Sequence, residues 1–323
     1  MKRIGFAAAG LALYGAVTLM GAQAQQVDPS LPAYQKVSGV SGNVNSVGSD
    51  TMNNMMTLWA ETFKKMYPNV KIQIEGKGSG TAPAALTAGT SQFGPMSREM
   101  RPAEIDAFEL KYGYKPTMIK TSYDALAVYV NKDNPIEKLT LAQVEAIFSK
   151  TRKRGYKEDI KTWGQLGLTG DWATKPISLY GRNSASGIYG FFKEHVLMTG
   201  DYKTAVKEQP GSASVVQGVT EDRYGIGYSG IGYKTSGVKA VPLATTDKGP
   251  YSGGSYADVT SGKYPLWRFL YIYVNKAPGK PLDPLVGEFV KLIFSKQGQE
   301  AVVKDGYYPL GAPMAATEVA KIK

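Results

Sequence analysis

The chain has 323 residues, 43% of them hydrophobic and 20% charged, which suits one large or two medium domains with proper cores and excludes a disordered chain or a polytopic membrane protein. It has no cysteine and a single histidine, His195, so disulfides, thiolate chemistry and cysteine-ligated metals are excluded, and a zinc site or a Ser-His-Asp triad would rest on His195 alone. The formal charge of +11 favours anionic partners, but the basic residues are scattered and form no dense run with interleaved aromatics, which argues against nucleic acid.

Residues 1–24 have the form of a secretory leader, with Lys2 and Arg3 as the basic end, an apolar run over 4–20 and an Ala22-Gln23-Ala24 cleavage site. Gly5, Gly10 and Gly15 interrupt the run, which argues against a retained anchor, and no later segment is apolar enough to span a bilayer. Without its leader the chain keeps 36 basic and 27 acidic residues. Lacking a cysteine to lipidate, it is expected to be soluble in the periplasm, or secreted.

Residues 25–42 are polar, with Pro29 and Pro32, and read as a surface segment. A strand is expected over 44–47, then a turn, Gly48-Ser49-Asp50-Thr51, and a helix over 51–66. That helix carries Met52, Met55, Met56, Trp59, Phe63 and Met66 at helical spacing, a core face rather than a cofactor box. The alternation of Val70, Ile72 and Ile74 predicts a strand over 70–75, which runs into Gly76-Lys77-Gly78-Ser79-Gly80-Thr81 and a helix over 82–88. Residues 92–98 read as a short buried segment that delivers Ser97 and Arg98, followed by a helix over 102–112.

An internal similarity bears on architecture. Ala127-Val128-Tyr129-Val130-Asn131-Lys132 returns as Tyr271-Ile272-Tyr273-Val274-Asn275-Lys276. Read as two strands crossing between lobes, these divide the chain into a lobe of residues 25–125 plus 269–323 and a continuous lobe of residues 126–268. The middle piece opens with a helix over 141–149 capped by Thr140. It then gives a strand over 177–180, the turn Gly181-Arg182-Asn183-Ser184-Ala185-Ser186-Gly187-Ile188 and a helix over 187–198. A short helix over 212–219, a glycine-tyrosine strand pair or bulged strand over 225–233, helices over 284–294 and 296–304 and a loose polar end complete an α/β chain.

Three of these turns place hydroxyls and helix-start N–H groups at the carboxyl ends of strands, where open α/β sheets bind ligands and helix N-termini hold oxyanions. Such turns are also ordinary helix starts, and their convergence is a hypothesis of the sequence. A donor-only site would accept sulfate and phosphate alike. Asp50 adds a carboxylate, which repels an oxyanion unless the anion still carries a proton, as phosphate does near neutral pH and sulfate does not. The alternatives are a plain helix cap at Asp50, a surface pairing of Arg98 with Glu99, and an interlobe ion pair at Arg182.

Val47-Gly48-Ser49-Asp50-Thr51, Gly78-Ser79-Gly80-Thr81, Phe93-Gly94-Pro95-Met96-Ser97-Arg98 and the turn from Gly181 to Gly187, in this order, resemble the periplasmic phosphate-binding proteins of the phosphate-specific ABC transporter. The resemblance implies a type II two-lobed periplasmic binding protein with two hinge-crossing strands and phosphate in the interlobe cleft. It also implies a monomer without cofactor or metal, delivering its ligand to an inner-membrane ABC permease with its ATPase. The implied phosphate-binding set is Ser49, Asp50, Thr51, Ser79, Gly80, Thr81, Ser97, Arg98, Arg182, Ser186, Gly187 and Ile188. Two departures stand out. Many members carry an aspartate in the third motif, where this chain has Ser97-Arg98, so Asp50 is expected to accept the proton and Arg98 to be a second cationic donor. Ile188 replaces a threonine and can offer only its N–H. A phosphatase-like relative and a receptor for another oxyanion are the competing readings; the first would need an activated nucleophile or a metal-bound hydroxide.

Overall fold

The computed structural model describes residues 27–323, so the leader expected over 1–24 lies outside the described residues. In chain order the elements are β1 (Gly42–Val47), α1 (Asn53–Met66), β2 (Val70–Glu75), α2 (Ala82–Ala88), β3 (Gly94–Met96), α3 (Pro102–Tyr112) and β4 (Thr117–Asn131). Next come β5 (Leu139–Thr140), α4 (Leu141–Phe148), β6 (Ser178–Arg182), α5 (Gly187–His195), β7 (Lys207–Gln209), α6 (Ser212–Glu221), β8 (Gly225–Gly230), β9 (Val238–Ala240) and β10 (Leu243–Ala244). The chain ends with α7 (Tyr256–Thr260), β11 (Trp267–Val274), α8 (Pro284–Ile293), α9 (Lys296–Lys304) and α10 (Ala312–Ala320). Among the described residues no helix is long and apolar enough to cross a membrane.

The strand that organises the molecule is β4. Its first half pairs antiparallel with β11, from Thr117 opposite Val274 to Ala125 opposite Trp267. Its second half pairs with β8, from Leu126 opposite Gly230 to Val130 opposite Ile226. One 15-residue strand therefore belongs to two halves of a sheet ordered β3-β11-β4-β8-β6-β7, with β9 also on β4. Each half is covered by its own core, because a buried sheet face needs an apolar layer against it. The first core gathers Met52 and, from α1, Met55, Met56, Trp59 and Phe63 with Leu270 and Ile272 of β11 and Phe289 and Leu292 of α8. The second gathers Leu126, Val128 and Val130 of β4 with Phe148, Phe192, Ile226 and Tyr228.

One sequence expectation needs refining and one correcting. The segment before β1 is mostly exposed, as expected, but it is pinned to the first core at three points. Leu31, Tyr34 and Val40 are buried in the first core, and the Tyr34 hydroxyl donates to Glu288 at 2.8 Å. Its apolar residues are spaced singly along irregular backbone, so no periodicity reveals them. The chain end is likewise a helix, α10, docked through Ala315 and Glu318 and tied to the N-terminal segment by Ala312 N–H on Asp28 Oδ2 at 2.8 Å. Small residues give it a weak apolar stripe.

Behind the second core's β8, Asp305 sits at the end of α9 with its Oδ2 buried and unpartnered, and burial pushes its carboxyl up to about 7. The folded protein then holds a proton that the unfolded chain has lost across roughly pH 4–7, so stability falls as pH rises through that window. Asp305→Asn is expected to raise the melting temperature at pH 8 and to flatten its fall between pH 5 and pH 8, read by thermal unfolding at both values.

Candidate functional site

Three strand ends meet between the two cores. At the first, Gly48 N–H donates to Glu75 O at 2.9 Å and Ser49 N–H to Pro95 O at 2.8 Å, which ties the turn to β2 and β3. A Cβ on Gly48 would lie 2.2 Å from Pro95 O, so only glycine permits this approach. At the second, Gly78 has φ +118° and donates to Gly48 O at 2.8 Å, and Thr81 Oγ1 donates back to Gly78 O at 2.8 Å. At the third, the strand runs two residues further than expected, so Gly181 and Arg182 belong to β6, and Ser186 caps α5 by accepting from Ile188 N–H at 3.2 Å.

The second and third turns are joined directly, Gly80 N–H donating to Ala185 O at 3.0 Å. Ser79 and Ser97 hydroxyls lie 3.2 Å apart, Ser97 N–H donates to Ser79 Oγ at 3.0 Å, and both hydroxyls face Gly187. Across from them Arg182, only 1% exposed, donates from Nη1 to Asp50 Oδ2 at 3.0 Å and to Ser212 Oγ at 2.8 Å, and from Nη2 to Pro210 O at 3.1 Å. Ser212 N–H also donates to Asp50 Oδ2 at 2.8 Å, and the Tyr233 hydroxyl donates to Asp50 O at 3.0 Å. Burial pushes the Arg182 guanidinium down from its ordinary value, and the Asp50 carboxylate opposes that shift.

Ser49, Thr51, Ser79, Ser97, Ser186 and Ile188 are all buried at this junction. Among the described residues, three polar atoms on these turns have no protein partner: Ser49 Oγ, Arg182 Nε and Asn183 Oδ1. Buried donors and acceptors are normally paired, and leaving one unmade costs about 1–3 kcal/mol.

Of the twelve residues expected to bind, Arg98 and Thr81 have their side chains held elsewhere. Arg98 departs furthest. Its guanidinium makes a two-point pair with Glu104, 2.7 Å on each arm, and also donates to Glu99 O, so the second cationic donor expected of it is not provided by this geometry. Burial works against ionisation of Glu104, but hydrogen bonds from Arg98 and the Arg101 N–H outweigh it and hold its carboxyl below the ordinary value. Thr81 is also committed, to its own turn. Lys77 pairs with Glu75 at 2.6 Å on the exposed surface. Sequence reasoning missed Ser212 and Tyr233 as site residues. The first had a signal: Gly211-Ser212-Ala213-Ser214 ahead of Val215 and Val216 is a fourth glycine-serine helix start.

Two cores share β4, with hydroxyls, helix-start N–H groups and a buried arginine between them, and the sequence matches a PBP superfamily domain over residues 33–297. The chain is 58% identical over 322 residues to the phosphate-binding protein PstS of Pseudomonas aeruginosa PAO1, spanning 100% of this chain and 98% of that one. It is 29% identical over 297 residues to a phosphate-binding protein PstS of Staphylococcus haemolyticus, 90% of this chain and 89% of the relative. The chain belongs to this PstS family of phosphate-binding proteins. Among solved structures it resembles a substrate-binding protein of Clostridium perfringens, assigned to phosphate ABC transport and holding bound phosphate, with a TM-score of 0.69 and 25% identity over 83% of this chain and 100% of that one. An ABC-type phosphate transport receptor of Vibrio cholerae shares the fold at a TM-score of 0.63 and 20% identity, over 83% of this chain and 100% of that one.

Proposed function

We propose that this chain is an exported, monomeric receptor that captures hydrogen phosphate between its lobes and delivers it to an inner-membrane ABC permease with its ATPase. The lobes are residues 25–125 with 269–323, and residues 126–268, hinged on β4 and β11. Phosphate is held by Ser49, Thr51, Ser79, Ser97, Arg182 and Ser186, by the Gly187 N–H and by Asp50, the Gly80 and Ile188 N–H groups being given to Ala185 O and Ser186 Oγ. Relatives carry the name of phosphate-binding protein over the full chain, which supports the assignment.

The observation that carries the reading is Asp50. One carboxylate oxygen is fixed by Arg182 and the Ser212 N–H, while the other has no such donor and adjoins Gly211. A free carboxylate oxygen in a buried donor site rejects an anion without a proton and accepts a hydrogen bond from one that has it. Turnover forms no part of the reading: relatives are named as binding proteins, and among the described residues the Ser79 and Ser97 hydroxyls bond each other.

Asp50→Asn is expected to compress the preference for phosphate over sulfate by roughly 30-fold or more, the equivalent of about 2 kcal/mol. Part of the change should appear as sulfate binding gained. Competition calorimetry on ligand-stripped protein reads it, and an unchanged ratio would remove Asp50 as the selectivity element.

A further inference from the structure

Asp124 on β4 and Arg268 on β11 face each other in the strand register and are both buried, at 0% and 4% exposure. Arg268 Nε donates to Asp124 Oδ2 at 2.9 Å, and Nη2 lies 2.8 Å from the same oxygen. Neither residue belongs to the anion set, yet both reach toward it. Arg268 Nη1 donates to the carbonyl of Ser97, whose N–H and hydroxyl contact Ser79. The same guanidinium lies 5.0 Å from the ring of Phe191, on the helix α5 that begins at Gly187. The second Asp124 oxygen accepts from Ile231 N–H at 3.2 Å, just beyond β8 and two residues before Tyr233, which holds Asp50.

We propose that Asp124 and Arg268 are positioning residues for phosphate capture: a buried pair on the two strands shared between lobes that fixes the Ser97 corner against α5 in the closed arrangement. The proposal rests on the phosphate reading above. A buried ion pair is weak evidence of a stabilising role, because well-packed apolar residues often replace such a pair at no loss. The contacts explain its presence differently. An apolar pair could fill the volume, but it could not hold the Ser97 carbonyl and the Ile231 N–H together. With those released, the Ser79–Ser97 hydroxyl pair loses its fixed orientation, and preorganisation is what makes such donors effective.

The test uses full-length, ligand-stripped protein with inorganic phosphate as probe. Removing Arg268 alone strands a buried carboxylate and can unfold the chain, so two other variants are used. Asp124→Leu combined with Arg268→Met replaces the pair by apolar volume. Arg268→Lys keeps the charge opposite Asp124 but cannot also reach Ser97 and Phe191. Both are expected to retain cooperative unfolding while weakening phosphate affinity by roughly 10-fold or more, with the loss in a faster dissociation rate by stopped-flow. Wild-type affinity in either folded variant, or a loss confined to melting temperature, overturns the proposal. If wild-type protein itself binds no phosphate, the functional reading fails instead, so the two failures are distinguishable.

Discussion

Arg182→Met is expected to abolish measurable phosphate capture, raising the dissociation constant by about 1,000-fold or more. The guanidinium is buried and binds both sides of the junction, reaching Asp50 from one core and Ser212 and the Pro210 carbonyl from the other. Truncating one partner of a buried, hydrogen-bonded charge pair costs about 2–5 kcal/mol, much of it because the remaining charge is left unpaired. Here the stranded group is the Asp50 carboxylate, which would then face the incoming anion with nothing to balance it. Arg182→Lys keeps the charge but replaces a planar fork with a single ammonium, so it should recover only a small part of the affinity. Titration calorimetry measures both variants, and thermal unfolding without ligand confirms that each is folded.

The second large effect is expected at Gly187. A Cβ there would stand 2.3 Å from Ser79 Oγ and 2.4 Å from Ser97 Oγ, distances that force either the serines or the start of α5 to withdraw. Gly187→Ala should therefore weaken phosphate binding by roughly 100-fold. It should also lower the stability of the ligand-free protein, since both serines are fully buried and have little room to move. Thermal unfolding checks that the variant is folded, so that the affinity loss can be read on its own. An alanine variant that binds like wild type would mean that α5 does not close onto these hydroxyls around the anion.

The parts of this molecule legible in its sequence are those with local causes. Glycine and serine between a strand and a helix mark a turn wherever they occur, so all three turns were readable, and the methionine-tryptophan face of α1 was readable from its helical spacing. Arg98 shows the limit. Its neighbour Glu99 offered the obvious partner, but the first turn of α3 brings Glu104 into two-point register with it, a geometry that depends on where the helix starts. The Asp50–Arg182 pair joins residues 132 positions apart, and only the packing of the cores brings them together. The ion pair weighed as the alternative for Arg182 is present, to Asp50, and leaves the guanidinium Nε without a protein partner. The Asp124–Arg268 pair left no sequence signal, since an aspartate and an arginine within apolar strands carry no motif.

Direct binding of two anions to ligand-stripped wild-type protein tests the central claim most closely. Titration calorimetry at neutral pH should show phosphate saturating a single site per chain, and sulfate at the same concentrations should give no saturable heat. Sulfate binding comparable to phosphate would contradict a carboxylate-gated phosphate site.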